Sequence, residues 1–299
     1  MKILYLDQNA ASYLAEPPNQ QWKQIAQQLE EGFSDRRLVC PIPRETIIET
    51  ARCSRREKRI LIQTFLNSVC GGMRFCSFRE IMQSATLALV RPSHDIVPFE
   101  LIEPNWAEDD VEAARIAKVD GEMRKRMEER VGAFSHSPEQ RSYTPGEMFL
   151  SGAEERTRKL WRDLDRFLVE PATAIGAYEV PWLMQFLIGA GISADEARAL
   201  VAELRRHRWE QIAVNSFDLL LGAHWDHDII HRQRPNYKSN DEVDRWRAAV
   251  ALVYSDIFIT DSYVTELCRK AKTNDYSATV VFSAKRPKPI LECLQNRCS

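Results

Sequence analysis

The sequence predicts an α/β fold with a central, mostly parallel β-sheet, and three observations lead to this prediction. Short apolar runs alternate with segments of helical periodicity over residues 1–95. The same alternation returns over residues 236–299. Between them, the chain is charged and helix-periodic almost throughout. We therefore expect 1–95 and 236–299 to build one sheet-containing core and 96–235 to form a large helical insertion or subdomain. Within the insertion we expect helices over about 107–131, 147–167, 171–189, 194–209 and 212–232.

The first part of the core opens with a short apolar run that ends in polar residues. Ile3 to Leu6 are followed at once by the sequence Asp7-Gln8-Asn9, which is typical of a buried strand that leads into a loop. Residues 38–42 are a second strand candidate. Pro43 begins the next helix well, because a proline in the first turn loses no needed hydrogen bond. That helix carries Glu45 and Glu49 four residues apart, on one face.

A second helix is predicted over residues 55–69, and a third strand follows the glycines that end it. The expected apolar stripe of this helix consists of Ile60, Leu61, Phe65 and Val69. Beyond it we expect a strand over 73–78 and a helix over 79–90. Prolines 92, 98 and 104 then keep residues 91–106 extended.

The second part of the core contains a helix with acids near its start and a strand with an acid at its end. A loop at 235–240 precedes the helix, and Asn240 or Asp241 can cap it. Asp244 follows in the first turns. The strand begins at Asp256, which we expect to have a turn role, and it closes in Thr260-Asp261. A last helix and strand reach residue 283.

Composition and charge restrict the kind of protein. No run of about 18 apolar residues is present, and polar residues interrupt the N-terminus before a signal peptide can form. We therefore expect a cytoplasmic protein without a membrane span. Seven cysteines without a Cys-x-x-Cys pair favour reduced thiols. The formal net charge is −2, yet residues 36–60 and 265–298 are locally basic, which suits a polyanionic substrate such as RNA.

Four acids at the ends of separate elements fit a site for hard divalent cations. These acids are Asp7, Glu49, Asp244 and Asp261. Mg²⁺ and Mn²⁺ prefer oxygen ligands, and they neutralise phosphate charge and activate water during phosphodiester hydrolysis. Carboxylates delivered by different strands and helices can converge although they are far apart in sequence. The pattern therefore indicates a metal-dependent phosphodiester hydrolase.

Three segments of the chain resemble the PIN-domain family. They are Tyr5-Leu-Asp-Gln-Asn9, then Ile42-Pro-Arg-Glu-Thr-Ile-Ile-Glu49, and the stretch 244–261 with Ala248-Ala249 and the closing Thr260-Asp261. The resemblance covers about 1–95 and 236–299. It implies a three-layer PIN-like fold around the sheet and a metal-dependent ribonuclease, a class that includes bacterial toxins, so a toxin or defence role is one expectation.

The resemblance also implies which residues do the chemistry. Asp7, Glu49, Asp244 and Asp261 would bind Mg²⁺ or Mn²⁺, and Asn9 and Thr260 would orient them. The substrate would be RNA or single-stranded DNA, and cleavage would leave 5′-phosphate and 3′-hydroxyl ends. A protein inhibitor or partner and an oligomer are compatible with the family.

Several alternatives stay open at this point. Glu45 competes with Glu49, and Asp241 or Asp256 can replace a member of the set. A catalytically inactive PIN-like module that binds a protein or RNA is the main alternative function. A helical phosphohydrolase is another alternative. Its basis is a set of imidazole and carboxylate side chains whose spacing places them on one face of a helix, namely His224, His227, Asp228 and His231.

Overall fold

A computed structural model of the protein describes most of both chain ends and scattered parts of the middle. The residues described are 1–90, 94–104, 106, 187–188, 191–207, 214, 217–218, 220–222, 224–225 and 239–297. Of 79, 89, 90, 201–207, 239–242 and 297 it describes the backbone alone. The predicted helices between 107 and 186, and most of the predicted helix at 212–232, lie outside these residues.

Strands and helices alternate along the described chain, which confirms the α/β class. The strands are β1 (Lys2–Leu6), β2 (Leu38–Val39), β3 (Ile42–Pro43), β4 (Met73–Phe75), β5 (Phe99–Leu101), β6 (Ile257–Thr260) and β7 (Val280–Ser283). The helices are α1 (Gln8–Ala15), α2 (Gln20–Ser34), α3 (Arg44–Ala51), α4 (Arg56–Val69), α5 (Phe78–Val90), α6 (Ala194–His207), α7 (Ser239–Tyr254), α8 (Ser262–Lys270) and α9 (Pro287–Arg297).

The central sheet has four parallel strands in the order β2-β1-β6-β7. Its middle pair joins the two ends of the chain, because Leu6 of β1 is in register with Ile259 of β6. A smaller sheet has the order β3-β4-β5, with β3 and β4 parallel and β5 antiparallel at the edge. The expected strand at 38–42 is thus two short strands that belong to different sheets.

Both faces of the central sheet are buried, which explains why its strands are continuous apolar runs. Leu4 and Leu6 of β1 point into the main core, where the buried apolar residues of α1, α2, α4 and α9 meet them. Between them, Tyr5 faces the other side and contacts the rings of Phe75 and Phe258. Alternate residues of one strand therefore serve two apolar layers.

The described residues divide into two compact units. The first comprises Met1–Ser77, Pro98–Met127 and Val250–Ser299, and it contains the central sheet and the small sheet. The second comprises Phe78–Val97 and Glu128–Ala249. The predicted boundaries between core and insertion, at 95 and 236, are not the boundaries of these two units. Within α7, the boundary falls after Ala249.

The second unit has its own packing. Helices α5 and α6 pack together, and the ring of Phe78 stacks on that of Trp246 with 5.5 Å between centroids. Arg245 donates from Nε to the Oδ1 of Asp218 at 2.5 Å, and both side chains are largely shielded from solvent. A helix at the predicted position 194–209 is present as α6.

Two general expectations concern membranes and thiols. In the described part of the chain, no helix combines the length and the apolar character that a membrane crossing needs. The described cysteines are free thiols, namely Cys40, Cys53, Cys70, Cys76, Cys268 and Cys293.

Candidate active site at the carboxyl edge of the sheet

The connections that leave the carboxyl ends of β1 and β6 run in opposite directions across the sheet. From β1 the chain proceeds to β2 on one side, and from β6 it proceeds to β7 on the other. In open parallel sheets, the crevice outside the carboxyl ends at such a switch point is where ligands bind. The two residues that directly follow these strands are Asp7 and Asp261.

Asp7 is a buried carboxylate at the start of α1. Its backbone amide donates to the carbonyl of Ile259 at 3.0 Å, which continues the ladder between β1 and β6 by one residue. Its Oδ1 accepts the amide hydrogen of Ala10 at 2.9 Å and caps α1. The side chain is 5% exposed. The local reason for this geometry is that aspartate is a preferred N-cap, so the strand can turn into a helix here.

Asp261 repeats this arrangement at the end of the neighbouring strand. Its Oδ1 accepts the amide hydrogens of Tyr263 at 2.6 Å and Val264 at 2.9 Å, and it caps α8. No described residue donates a hydrogen bond to its Oδ2. The carboxylate is therefore held in orientation through one oxygen, while the other is available to a ligand.

Hydroxyl groups line the same edge beside Asp261. Thr260 is buried and in register with Ser283, the last residue of β7. The Oγ atoms of Ser262 and Ser283 lie 3.0 Å apart in a hydrogen bond, which joins the start of α8 to the end of β7. Sequence reasoning proposed Thr260 as a supporting residue but missed both serines, because neither belongs to a local motif.

Helix α3 is attached to the carboxyl end of β1 by two threonines. The hydroxyl of Thr46 donates to the carbonyl of Leu6 at 3.3 Å, and the hydroxyl of Thr50 donates to Oε1 of Gln8 at 3.0 Å. Thr46 and Thr50 share one face of α3, since they are four residues apart. The residues just before each of them are Glu45 and Glu49.

Glu45 and Glu49 are both half-buried on this helix. Glu45 accepts a long hydrogen bond of 3.5 Å from the hydroxyl of Tyr5, on the sheet face that Asp7 shares by alternation. Glu49 lies one turn after Glu45 on α3. Either glutamate therefore belongs to the helix that is fastened beside Asp7, and the choice between them stays a prediction.

The predicted acids of the first unit are not drawn together as tightly as three direct ligands of one ion. Among the residues described, Asp7, Glu49 and Asp261 do not form a trio whose oxygens all lie within 4.8 Å of one another. Oxygens bound to one Mg²⁺ at about 2.1 Å are at most about 4.2 Å apart. A site with one or two direct carboxylates and several waters, which is common for Mg²⁺, needs less convergence.

One of the predicted supporting acids, Asp256, lies at the other edge of the sheet. Asp256 precedes β6, so it lies at the amino edge, at the opposite end of the strand from Asp261. There its Oδ1 accepts a hydrogen bond from Nζ of Lys2 at 2.6 Å, and its Oδ2 accepts the amide hydrogen of Ile3 at 2.8 Å. Asp256 therefore fastens β1 to β6, and it is not part of the carboxyl edge.

The electrostatics of Asp256 agree with this structural role. Burial alone raises the pKa of its carboxyl. The hydrogen bonds from Lys2 and Ile3, together with the positive charge of Lys2, lower it further than burial raises it. The net result is a pKa of Asp256 below its ordinary value.

Asp244 belongs to the second unit, in the first half of α7. Its Oδ1 accepts a hydrogen bond of 3.3 Å from Nη1 of the buried Arg247. Asp241 lies in the first turn of α7, and its side chain is outside the described residues. The remaining supporting residue, Asn9, is exposed in α1.

The histidine face of the helical middle is described in small part. His224 is half-buried beside the buried Trp225. His227, Asp228 and His231 lie outside the described residues, so a metal site on this face stays a prediction.

The donor chemistry of the carboxyl edge fits a hard cation. Carboxylate oxygens of Asp7 and Asp261 and hydroxyl oxygens of Thr260, Ser262 and Ser283 line it, and oxygen ligands favour Mg²⁺ or Mn²⁺ over Zn²⁺. A comparison with known proteins adds no identity, because no protein-family model, no curated protein and no solved structure matches the chain.

Proposed function

We propose that the protein is a divalent-metal-dependent nuclease of the PIN type that hydrolyses phosphodiester bonds in RNA. The observation that carries this proposal is the position of Asp7 and Asp261. They follow adjacent parallel strands at the one point of the sheet where a ligand crevice is expected. The PIN-like three-layer fold is part of the same proposal, since the parallel sheet with acids at its carboxyl edge is compatible with it.

The residues of this edge have defined tasks in the proposed reaction. Mg²⁺ or Mn²⁺, when bound, neutralises charge on the scissile phosphate and makes a water more acidic. Asp7 and Asp261 hold the ion, and the amide hydrogen bonds to their Oδ1 atoms keep the carboxylates oriented. Glu49, with Glu45 as its alternative, adds charge from α3. Asp244 enters the set through the sequence resemblance alone.

A second candidate function is favoured by the same hydrogen bonds. Asp7 and Asp261 are the N-caps of α1 and α8, a role that requires no metal. In that case the protein is a PIN-like module that binds RNA or a protein without cleaving it. The two candidates differ in whether the carboxylate charge is needed, because asparagine caps a helix about as well as aspartate.

The deciding experiment measures cleavage of labelled structured RNA, single-stranded RNA and single-stranded DNA, with Mn²⁺ or with EDTA. We expect Mn²⁺-dependent products with 5′-phosphate ends. Asp7→Asn and Asp261→Asn should each lower the rate by at least about 100-fold, since even indirect supports of a metal site are worth 10–100-fold. Asp256→Asn is the matched control at the opposite end of β6, and it should retain the rate.

Two outcomes reject the nuclease. One is cleavage that persists in both Asp7→Asn and Asp261→Asn. The other is the absence of both cleavage and ion binding at millimolar Mn²⁺, which favours the binding module. Loss of activity in Glu49→Gln but not in Glu45→Gln would identify Glu49 as the glutamate of the site. Comparing Asp244→Asn with Asp241→Asn would identify the acid of α7 in the same way. If His227→Ala abolishes turnover while Asp7→Asn does not, the helical phosphohydrolase is correct instead.

A further inference from the structure

A basic loop follows the last strand of the central sheet, on the same edge as the candidate acids. It consists of residues 284–288, with the sequence Ala-Lys-Arg-Pro-Lys, and leads from β7 into α9. Lys285, Arg286 and Lys288 are exposed. The first unit therefore carries three cations where β7 ends, beside the end of β6 that carries Asp261.

The loop is fixed to that edge by hydrogen bonds at its base. The amide of Ala284 donates to the carbonyl of Thr260 at 2.7 Å, and the amide of Arg286 donates to the carbonyl of Ser283 at 2.9 Å. The amide of Lys285 donates to Oγ of Ser283 at 3.3 Å. A rigid backbone lets the cations meet a ligand at a smaller entropic cost than a mobile tail would.

The charges of the loop are only partly balanced by its neighbours. Nζ of Lys288 is 3.9 Å from Oε1 of Glu292, which leaves it weakly paired. The hydrogen bond from Arg269 lowers the pKa of Glu266, and the positive charge of Arg286 lowers it further, so Arg286 is near that acid. For Lys285, the described residues contain no ion-pair partner. A net positive surface results.

We propose that the basic loop 284–288 binds the backbone phosphates of a single-stranded RNA substrate next to the crevice at Asp7 and Asp261. This inference rests on the proposed nuclease function and adds to it the path of the substrate. Neighbouring strands are about 5 Å apart, so the end of β7 lies on the order of one nucleotide from the end of β6. The strand would cross the carboxyl edge from the acids towards β7.

The kind of contact that the loop makes determines whether it can recognise a base sequence. Lysine and arginine side chains that contact phosphates fix position without selecting a base sequence. We therefore expect the loop to bind RNA of any sequence and with strong salt dependence. Each phosphate contact with a single strand contributes about 0.7 to the slope of log K against log salt concentration.

The test measures binding separately from cleavage. Fluorescence anisotropy of a labelled single-stranded RNA is recorded in EDTA, with the full-length protein, over a range of salt concentrations. The double variant Lys285→Gln, Arg286→Gln should weaken binding by about 5- to 20-fold and reduce the salt slope by about 1.4. The control Arg36→Gln, Lys272→Gln removes the same charge from exposed residues near the amino edge and should change binding less than twofold.

The results separate this inference from the nuclease proposal. If the double loop variant binds as tightly as the unmodified protein, or if that protein does not bind the RNA at all, the loop is not the phosphate contact. If binding depends on the loop while no cleavage occurs with Mn²⁺, the RNA path holds and the nuclease fails. Circular dichroism of both double variants verifies that they are folded.

Discussion

The two functions that Asp261 can serve, a helix cap and a metal ligand, are separable by substitution. Its Oδ1 accepts two amide hydrogen bonds, of 2.6 and 2.9 Å, at the start of α8. Asp261→Ala removes both and should lower the free energy of unfolding by about 1 kcal/mol. Asp261→Asn keeps an acceptor oxygen. It loses the attraction of the negative charge to the helix dipole, which is worth about 0.3–1 kcal/mol.

A further effect works in favour of the asparagine variant. Asp7 and Asp261 directly follow adjacent parallel strands, so we expect their like charges to repel each other to some degree when no cation is bound. Removing one charge should relieve this repulsion and offset part of the lost dipole interaction. In EDTA we therefore expect the free energy of unfolding of Asp261→Asn to be within about 0.5 kcal/mol of that of the unmodified protein.

Saturating Mn²⁺ should separate the unmodified protein from both Asp261 variants. An ion at 100 times its dissociation constant stabilises the folded state by about 2.7 kcal/mol, and a variant that lacks a ligand loses this gain. The assay is urea unfolding followed by tryptophan fluorescence, with EDTA and with Mn²⁺. Asn19→Ala is the control, because Asn19 caps α2 through the amide of Trp22 at 3.1 Å. It should cost about 1 kcal/mol and retain the Mn²⁺ gain.

Two results would refute this reasoning. If Asp261→Asn is as unstable as Asp261→Ala in EDTA, the carboxylate charge and not the acceptor oxygen makes the cap. If Asp261→Asn gains as much stability from Mn²⁺ as the unmodified protein, this carboxylate is not a ligand. Asp7→Asn should behave in the same way at the start of α1, where its Oδ1 accepts the amide of Ala10.

Two more predictions concern stability away from the site. A Cβ at Gly32 would lie 2.5 Å from Cδ2 of the buried Leu38, so Gly32→Ala should lower stability in urea by about 1–2 kcal/mol despite its better helix propensity; a variant as stable as the original contradicts the close packing. Because the folded-state pKa of Asp256 is lowered, its stabilising contact with Lys2 is present above the ordinary carboxyl pKa near 4 and is lost as the pH falls through the lower folded value. Asp256→Asn should therefore lose less stability than the original protein between about pH 5 and pH 2. An equal loss would show that the contact of Asp256 with Lys2 does not cause the pH dependence.

The central strands were predictable because their burial on both faces leaves a strong signal in the sequence. Ile3 to Leu6 and Ile257 to Ile259 are continuous apolar runs, and each ends in a polar residue that starts a helix. The same signal located Asp7 and Asp261. It did not distinguish a ligand from an N-cap, since aspartate is favoured for both purposes.

Periodicity alone predicted only part of the buried face of α4. The expected stripe contained Leu61, yet this side chain is 45% exposed, while Ile62 and Leu66 are buried with Phe65 and Val69. The buried positions follow the spacing i, i+3, i+4 and i+7 that a helix requires. Since apolar residues occur in several phases in this segment, the partner surface decides which phase is buried.

The sheets themselves were less predictable where their strands are short. Residues 38–42 form two strands in different sheets, because the amide of Cys40 donates to the carbonyl of Val69 at 2.8 Å instead of to a strand. Strand β5 was expected only as an extended segment, since it has three residues between prolines. Such short pairings depend on their neighbours more than on their own sequence.

The two ends of the β1 and β6 pair have opposite electrostatic characters, and this difference connects the fold with the proposed chemistry. At the amino edge, Lys2 and Asp256 attract each other and fasten the strands at 2.6 Å. At the carboxyl edge, Asp7 and Asp261 carry like charges, each held by the amides of its own helix. By the balance estimated above, asparagine at either cap would change the stability little, so stability alone does not select aspartate at these positions. The proposed cation would select it, because hard cations prefer carboxylate ligands.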